Sequence, residues 1–407
     1  MTQEISAGTT ANDGNRYLDQ GALLLMALAC GLCAGGNYFN QPLLHSIAGG
    51  LNVSDAMAGF SVTVAQVTYA CGLLFLVPLG DMFERKRLAV TLVVLAACGQ
   101  FMSGLAPHIA LLLGGVGIAG LFSVAAQVLV PMAASLSAPE RAGRAVGLLM
   151  SGLLTGILLA RSIAGLLSAA GGWQTVYLLA GVIMLIVAAA LWLVLPESRH
   201  PQRNSYGQIL LSMGRLLPAY PLLRSRCLLG GLSFASVSVL FSTMALLLSG
   251  PGFRMGDAGI GLVGLAGVAG AMMASVAGRL ADQGRGRLVT AFCVFALLIS
   301  WPVLMLAQSS LLLFLAGMLL IDLALQGIHI SNQIVVYALN PAARSRLNAV
   351  YMSSYFIGAA SGSALGTWAW AQGGWLAACV AGAVLAALNL LAWLYDRRLF
   401  RDRDMIV

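Results

Sequence analysis

Gly171-Gly172-Trp173 reads again as Gly373-Gly374-Trp375, about 202 residues further along the chain. The echo extends outward from this tripeptide. Pro139 and Arg144 return as Pro341 and Arg346, Asp55 returns as Asp257, and Gly156, Ala160 and Ala164 return as Gly358, Gly362 and Gly366. A period of this length is too long for a solenoid unit. It is half of the 407-residue chain. Two similar, mostly apolar halves point to a membrane transporter whose substrate path lies between the repeats.

Hydrophobic residues make up 59% of the chain and charged residues 9%, whereas a soluble domain carries roughly 25% charged residues. So little charge excludes a soluble fold and makes the bilayer the solvent. The 48 glycines suit helices that pack closely in lipid through small residues. Seven cysteines, all in apolar runs, argue against a disulfide framework. Cys30 and Cys33 have CxxC spacing but lack nearby partner ligands for redox or metal work. The first 20 residues are polar and carry Glu4, Asp13 and Asp19, unlike the basic start of a signal peptide, so the first apolar run is read as a retained helix.

Twelve apolar stretches, each long enough for a ~30 Å hydrocarbon core, fall near 21–44, 56–79, 88–106, 109–135, 145–169, 174–195, 227–249, 258–280, 288–307, 310–337, 347–371 and 375–395. The expected fold is all-α: two pseudo-symmetric six-helix bundles, 21–195 and 227–395. A tail (1–20), a linker (196–226, with a short amphipathic helix around 205–217) and a second tail (396–407) complete the chain. Twenty of the 22 basic residues fall on one side of this arrangement; Arg254 lies on the other and Arg161 inside a span. The positive-inside rule then puts both termini in the cytoplasm of a multi-pass inner-membrane protein. The net charge of +8 is thereby a topology signal and not a nucleic-acid footprint.

Between the second and third spans stands Gly80-Asp81-Met82-Phe83-Glu84-Arg85-Lys86-Arg87, and after the eighth stands Gly278-Arg279-Leu280-Ala281-Asp282-Gln283-Gly284-Arg285-Gly286-Arg287. These loops resemble the glycine–aspartate–basic loop of the major facilitator superfamily, and with twelve spans in two halves the resemblance covers essentially the whole chain. It implies a latch at the basic side, with Gly80, Asp81, Arg85, Arg87, Asp282 and Arg285, and Arg144 and Arg346 of the repeated pair, as gating residues. Glycine lets helix ends approach, and an aspartate at a helix end caps or pairs with arginine. In span 5, Gly147, Gly156, Ala160 and Gly165 are similar to the antiporter motif of drug–proton exporters, although Arg161 stands where that motif has proline. With Gly358, Gly362 and Gly366 these small residues are expected to pack helices. Asn37 to Leu44, the LLARSIAG stretch of span 5 and Asp322 to Gln333 look like a subgroup that includes sugar, nucleoside and drug efflux proteins.

Two strongly charged side chains lie well inside spans, Arg161 and Asp322. Each costs at least ~2.5–3.5 kcal/mol at mid-membrane, so neither is expected to face lipid. Asp322, Gln326, His329 and Gln333 share one helix face, with Asn332 beside it. Asp322, His329 and Arg161 are the candidates for proton coupling. A fixed Asp322–Arg161 pair bridging the halves is the competing reading, and a neutral, hydrogen-bonded His329 another. Asn37, Tyr38, Asn40, Gln41, Gln66, Gln127, Gln326, Asn332, Gln333, Tyr351 and Tyr355 are candidates for binding a polar solute, or for tying helices together.

No GxxxxGK[ST] loop is present, which argues against direct ATP use. The four histidines are scattered and no nucleophile–base pair or metal cluster is evident, so no enzyme activity and no cofactor are expected. The partners expected are a small solute, protons and the bilayer, with no nucleic acid and a monomeric chain. Proton-coupled export leads; uptake or facilitated diffusion and a non-transporting membrane sensor are the alternatives. The repeat fails at informative places: Asp322 corresponds to Gly120, Arg161 to Ser363, Gln326 to Val124 and Asn37 to Val239.

Overall fold

The computed structural model describes residues 18–138, 141–197, 205–267, 280, 285–340 and 343–404. Among them there are helices and no strands. Ten of the helical stretches are long and apolar enough to cross a membrane, and the last bends to cross twice.

The first half begins with α1 (Gln20–Gly36), capped by Asp19, whose carboxylate accepts from the Ala22 amide at 2.8 Å. The first span is not one straight helix. It loosens over Asn37–Asn40, passes through a 3₁₀ turn (Gln41–Leu43) and resumes as α2 (Leu44–Leu51). Pro42, which has no amide hydrogen to give, sits in that turn. There follow α3 (Asp55–Phe75), with a 3₁₀ turn at Val77–Asp81, α4 (Arg85–Gly104), α5 (Ile109–Phe122) with its continuation α6 (Ala125–Ser135), α7 (Ala142–Gly171) and α8 (Trp173–Val194). Gly172, at φ +82°, turns the chain between α7 and α8, a backbone setting open to glycine at little cost.

The linker contains α9 (Tyr206–Ala219), closed at its start by a capping box of Ser205 and Gln208. Its Tyr206 hydroxyl donates to the Phe75 carbonyl at 2.7 Å and so ties it to the first half. The second half comprises α10 (Pro221–Ser249), α11 (Asp257–Val263) with a 3₁₀ turn at Gly264–Gly267, α12 (Gly286–Met305), α13 (Leu311–Leu339) and α14 (Arg344–Asp404), bent at Gly373-Gly374. Most of the eighth expected span lies outside the described residues. Two boundaries differ from the sequence reading. Helix α10 starts at Pro221, inside the stretch read as linker, and α14 continues to Asp404, through the stretch read as tail.

The repeated small residues set the helix crossings. A side chain at Gly156 on α7 would run into the backbone of Gly31 on α1, and one at its repeat mate Gly358 on α14 into the backbone of Gly231 on α10. Gly362 would likewise meet the Ala235 carbonyl, and Gly366 would meet Val239. Ala160 packs the same α1–α7 contact one turn on, 3.2 Å from where a Gly35 side chain would begin. Both halves therefore repeat one close crossing, of the small-residue kind that membranes favour. Gly147 takes no part in this: it is exposed, and a side chain there would touch nothing.

The halves meet along two seams that the repeat exchanges. Gly59 on α3 lies under Thr367 on α14, and its mate Gly261 on α11 lies against Arg161 and Gly165 on α7. Hydrogen bonds fasten both seams: Thr63 to Ser363 at 3.0 Å, Ser162 to the Gly261 carbonyl at 2.8 Å, and Ser168 to Asp257 Oδ2 at 2.5 Å. All of these lie toward the end of the bundle away from the basic loops. Nearer the middle, the rings of Tyr69 and Phe356 meet across the halves, tilted at 54° with centroids 4.4 Å apart.

Candidate functional site

Arg161 projects from α7 into the region between the halves and is 6% exposed. Its Nε donates to Gln41 Oε1 at 2.6 Å. Gln41 meets it from the 3₁₀ turn that interrupts the first span. The guanidinium carbon stands 3.8 Å over the ring of Phe241 on α10 and 5.2 Å from that of Tyr38. A cation over an aromatic face in a dry setting gains roughly 2 kcal/mol or more. Tyr38 also neighbours the buried Gln66.

Asp322 projects from α13 in the second half and is 7% exposed. Its Oδ2 is buried and accepts no hydrogen bond from any described residue. It lies against the backbone of Gly267, 3.1 Å from where a side chain on that glycine would begin. The charges of Arg161 and Asp322 influence one another, yet no ion pair joins them among the described residues. In this structure Arg161 spends its Nε on Gln41 and its face on Phe241.

His329, two turns from Asp322 toward the basic end, bonds through Nδ1 to the Tyr351 hydroxyl at 3.1 Å and packs on the Tyr355 ring at 4.6 Å. Tyr355 stacks in turn on Phe234 at 4.2 Å. Asn332 donates to Tyr351 at 3.4 Å and accepts from Arg226 Nη1 at 3.0 Å. Arg226 Nη2 then reaches Asp396 Oδ2 at 2.6 Å, and Ser225 donates to the other carboxylate oxygen at 2.5 Å. A buried polar chain thus runs from His329 to the basic end through α10, α13 and both limbs of α14. Arg226, Asp396, Ser225 and Phe241 were not picked out from sequence. The two charges fall at the edges of apolar runs 170 residues apart, where a hydropathy reading takes charge as the end of a span.

The other expected site residues divide. Gln41, Tyr38 and Gln66 join Arg161; Asn332, Tyr351 and Tyr355 join His329. Gln326 and Gln127 are half-buried, the latter beside Tyr69, and Gln333 reaches the Met352 sulfur at 4.0 Å. Asn37 and Asn40 belong elsewhere. Asn37 bonds to the Cys33 carbonyl of its own helix and Asn40 to Ser61. Both face a cavity of about 10 Å³ inside the first half, with Gln100 and Tyr177, which has room for one water and no solute.

At the basic end, Arg85 donates to the Gly80 carbonyl at 3.2 Å and to Ser135 at 3.4 Å, and Arg87 lies 3.8 Å from both Glu84 and Glu197. Arg144, Arg285 and Arg346 are exposed. The Asp81 side chain and the whole of Asp282 lie outside the described residues. Among the described residues no group of histidine, cysteine or acidic side chains is arranged to hold a metal.

The sequence profile described as Major Facilitator Superfamily matches residues 26–339. The "Uncharacterized transporter YgaY" of Escherichia coli O157:H7 is 48% identical over 379 residues, which cover 93% of this chain and 96% of that one. A "Probable sugar efflux transporter" of Helicobacter pylori is 25% identical over 199 residues, 49% of this chain and 48% of that one. The fold matches a bacterial homologue of the human lysosomal transporter Spinster, in an inward-facing, unoccupied conformation, with a TM-score of 0.73 at 16% identity over 96% of this chain and 99% of the other. The chain belongs to the major facilitator superfamily, whose members are membrane transporters.

Proposed function

We propose that the protein exports a small polar solute in exchange for protons, by rocking its two halves about the Arg161–Asp322 region. The observation that carries this reading is the Asp322 carboxylate: it is buried, stands on the half opposite Arg161, and its Oδ2 has no hydrogen-bond partner among the described residues. An unpaired buried carboxylate is costly, and a carboxylate that alternately binds a proton and a solute has reason to be kept free. One proton moving down ~100 mV releases about 2.3 kcal/mol, enough for a solute gradient of roughly 50-fold.

The conformation fits a site open toward the basic end. The seams at Thr63–Ser363 and Ser168–Asp257 close the far end, whereas Gln326, His329 and Gln333, successively nearer the basic end, are half-buried. With the positive-inside rule, that end is cytoplasmic, both termini lie inside, and the solute enters from the cytoplasm of a monomeric protein in the inner membrane. Gly80, Asp81, Arg85, Arg87, Asp282 and Arg285 then form the latch that closes this side in the other half of the cycle, with Arg144 and Arg346 flanking it. Export is favoured over uptake by the small-residue pattern of α7 and by the efflux name of the Helicobacter pylori relative.

The test is efflux from proteoliposomes with and without an imposed proton gradient. Uphill movement that stops when the gradient is collapsed, and that Asp322→Asn abolishes while downhill exchange persists, is the expected result. Transport indifferent to the gradient makes the protein a facilitator, and absence of flux for any bound solute makes it a sensor.

A further inference from the structure

Among the described residues, the region between the halves holds the buried charges of Arg161 and Asp322, and no ion pair joins them. Arg161 uses Nε for Gln41, and its two terminal nitrogens have no hydrogen-bond partner among the described residues. Those nitrogens form the edge that grips a carboxylate with two parallel hydrogen bonds. Asp322 Oδ2 likewise has no hydrogen-bond partner among the described residues. Both side chains are more than nine-tenths buried. They lie near enough to act on one another through charge but form no ion pair among the described residues, and they stand on opposite halves. Two opposite buried charges gain from collapsing together when nothing intervenes; here Gln41 and Phe241 hold the guanidinium back.

We propose that the exported solute is a small zwitterion, its carboxylate taken by Arg161 and its ammonium by Asp322. This rests on the transport reading above and narrows it to a substrate class. A neutral sugar leaves both buried charges unmatched, an organic cation leaves Arg161 unmatched, and an anion leaves Asp322 unmatched. A zwitterion satisfies both and adds no net charge to a low-dielectric site. The rings of Tyr38, Phe241 and Tyr355 lie around the two charges, so the third substituent of the solute meets aromatic and apolar surface; an α-amino acid with a hydrophobic side chain has this outline. The ammonium and a proton compete for one carboxylate, which makes the exchange stoichiometric at a single atom pair. The ligand also spans the halves, with one charge on each.

The experiment measures binding to the full-length protein in lipid nanodiscs by titration calorimetry. The twenty common amino acids are screened first. Phenylalanine is then compared with phenethylamine, which lacks the carboxylate, 3-phenylpropionate, which lacks the ammonium, and xylose. The zwitterion is expected to bind at least tenfold more tightly than either singly charged analogue. Arg161→Gln is expected to erase the preference over phenethylamine but not that over 3-phenylpropionate, and Asp322→Asn the reverse. General damage to the fold does not produce that crossed pattern. Binding by none of the amino acids, or equal binding of an analogue by the wild-type protein, overturns the zwitterion. Proton-driven flux of whichever probe binds separates the two readings: a bound and pumped cation or sugar leaves the transporter intact and removes the substrate class.

Discussion

Arg226 on α10 and Asp396 on the last limb of α14 form an ion pair at 2.6 Å, with side chains only 3% and 4% exposed. The pair pins the seventh span to the twelfth and, through Asn332, to α13. Removing one member of a buried pair strands the other charge, at a cost of about 3–5 kcal/mol. Asp396→Asn is therefore expected to lower the thermal unfolding temperature sharply in detergent, and the double replacement Arg226→Met with Asp396→Leu to recover most of the loss. Equal unfolding temperatures for Asp396→Asn and the wild-type protein would show that the pair contributes little.

The glycines of α7 and α14 separate into those that touch and those that do not. Gly362→Val drives two methyls into the backbone of α10 beside Ala235, and overpacking of this kind costs about 1–3 kcal/mol or more. Little folded protein is expected in size-exclusion profiles. Gly147→Ala meets open space and is expected to leave the profile unchanged. A Gly362→Val protein that folds as well as wild type would mean that the crossing has slack.

The far seam rests on few polar contacts. Hydrogen bonds between membrane helices average about 0.6 kcal/mol, so losing two favours opening by roughly eightfold. Thr63→Ala combined with Ser168→Ala removes one bond from each seam. Spin labels at the exposed Met57 and Trp368, in a background without native cysteines, should then report a larger population of long distances. An unchanged distribution would place the closing force in the ring contacts instead.

Tyr351 offers a finer probe. Its hydroxyl serves both His329 and Asn332, and its ring is fully buried. Tyr351→Phe leaves the half-buried His329 and the buried Asn332 each short of a partner, at about 1–3 kcal/mol. Stability is expected to fall by that order. Solute affinity should be kept within a few-fold, because the Arg161–Asp322 region is untouched. A loss of binding with unchanged stability would move His329 into the solute site.

Much of this molecule is readable from hydropathy and repetition. The bend at Gly373-Gly374 and the turn at Gly171-Gly172 fall where the repeated tripeptide puts span ends. The crossings of Gly156 and Gly358 follow from small residues recurring at one interval. Charge accounts for the residues that the sequence left unmarked. Arg226 and Asp396 look like loop residues because a window average counts each as a full desolvation cost, and only the three-dimensional pairing cancels it. Asn37 misled differently: an amide in a span is as well satisfied by its own helix's carbonyl, here Cys33, as by a solute. Gln41 meets Arg161 from a 3₁₀ turn that contains Pro42, and the direction of a side chain at such a break has no linear signature.

The contact of Arg161 with Phe241 carries a thermodynamic consequence. The cation stands on the first half and its aromatic floor on the second, so in the rocking cycle proposed above, parting the halves would strip away the ring and admit water to the guanidinium. A charge contact weakens severalfold as its surroundings pass from dry to wet. Affinity is then a property of the conformation and not of the residue list: tight toward one compartment, slack toward the other, which is the asymmetry that any uphill pump must build into its site.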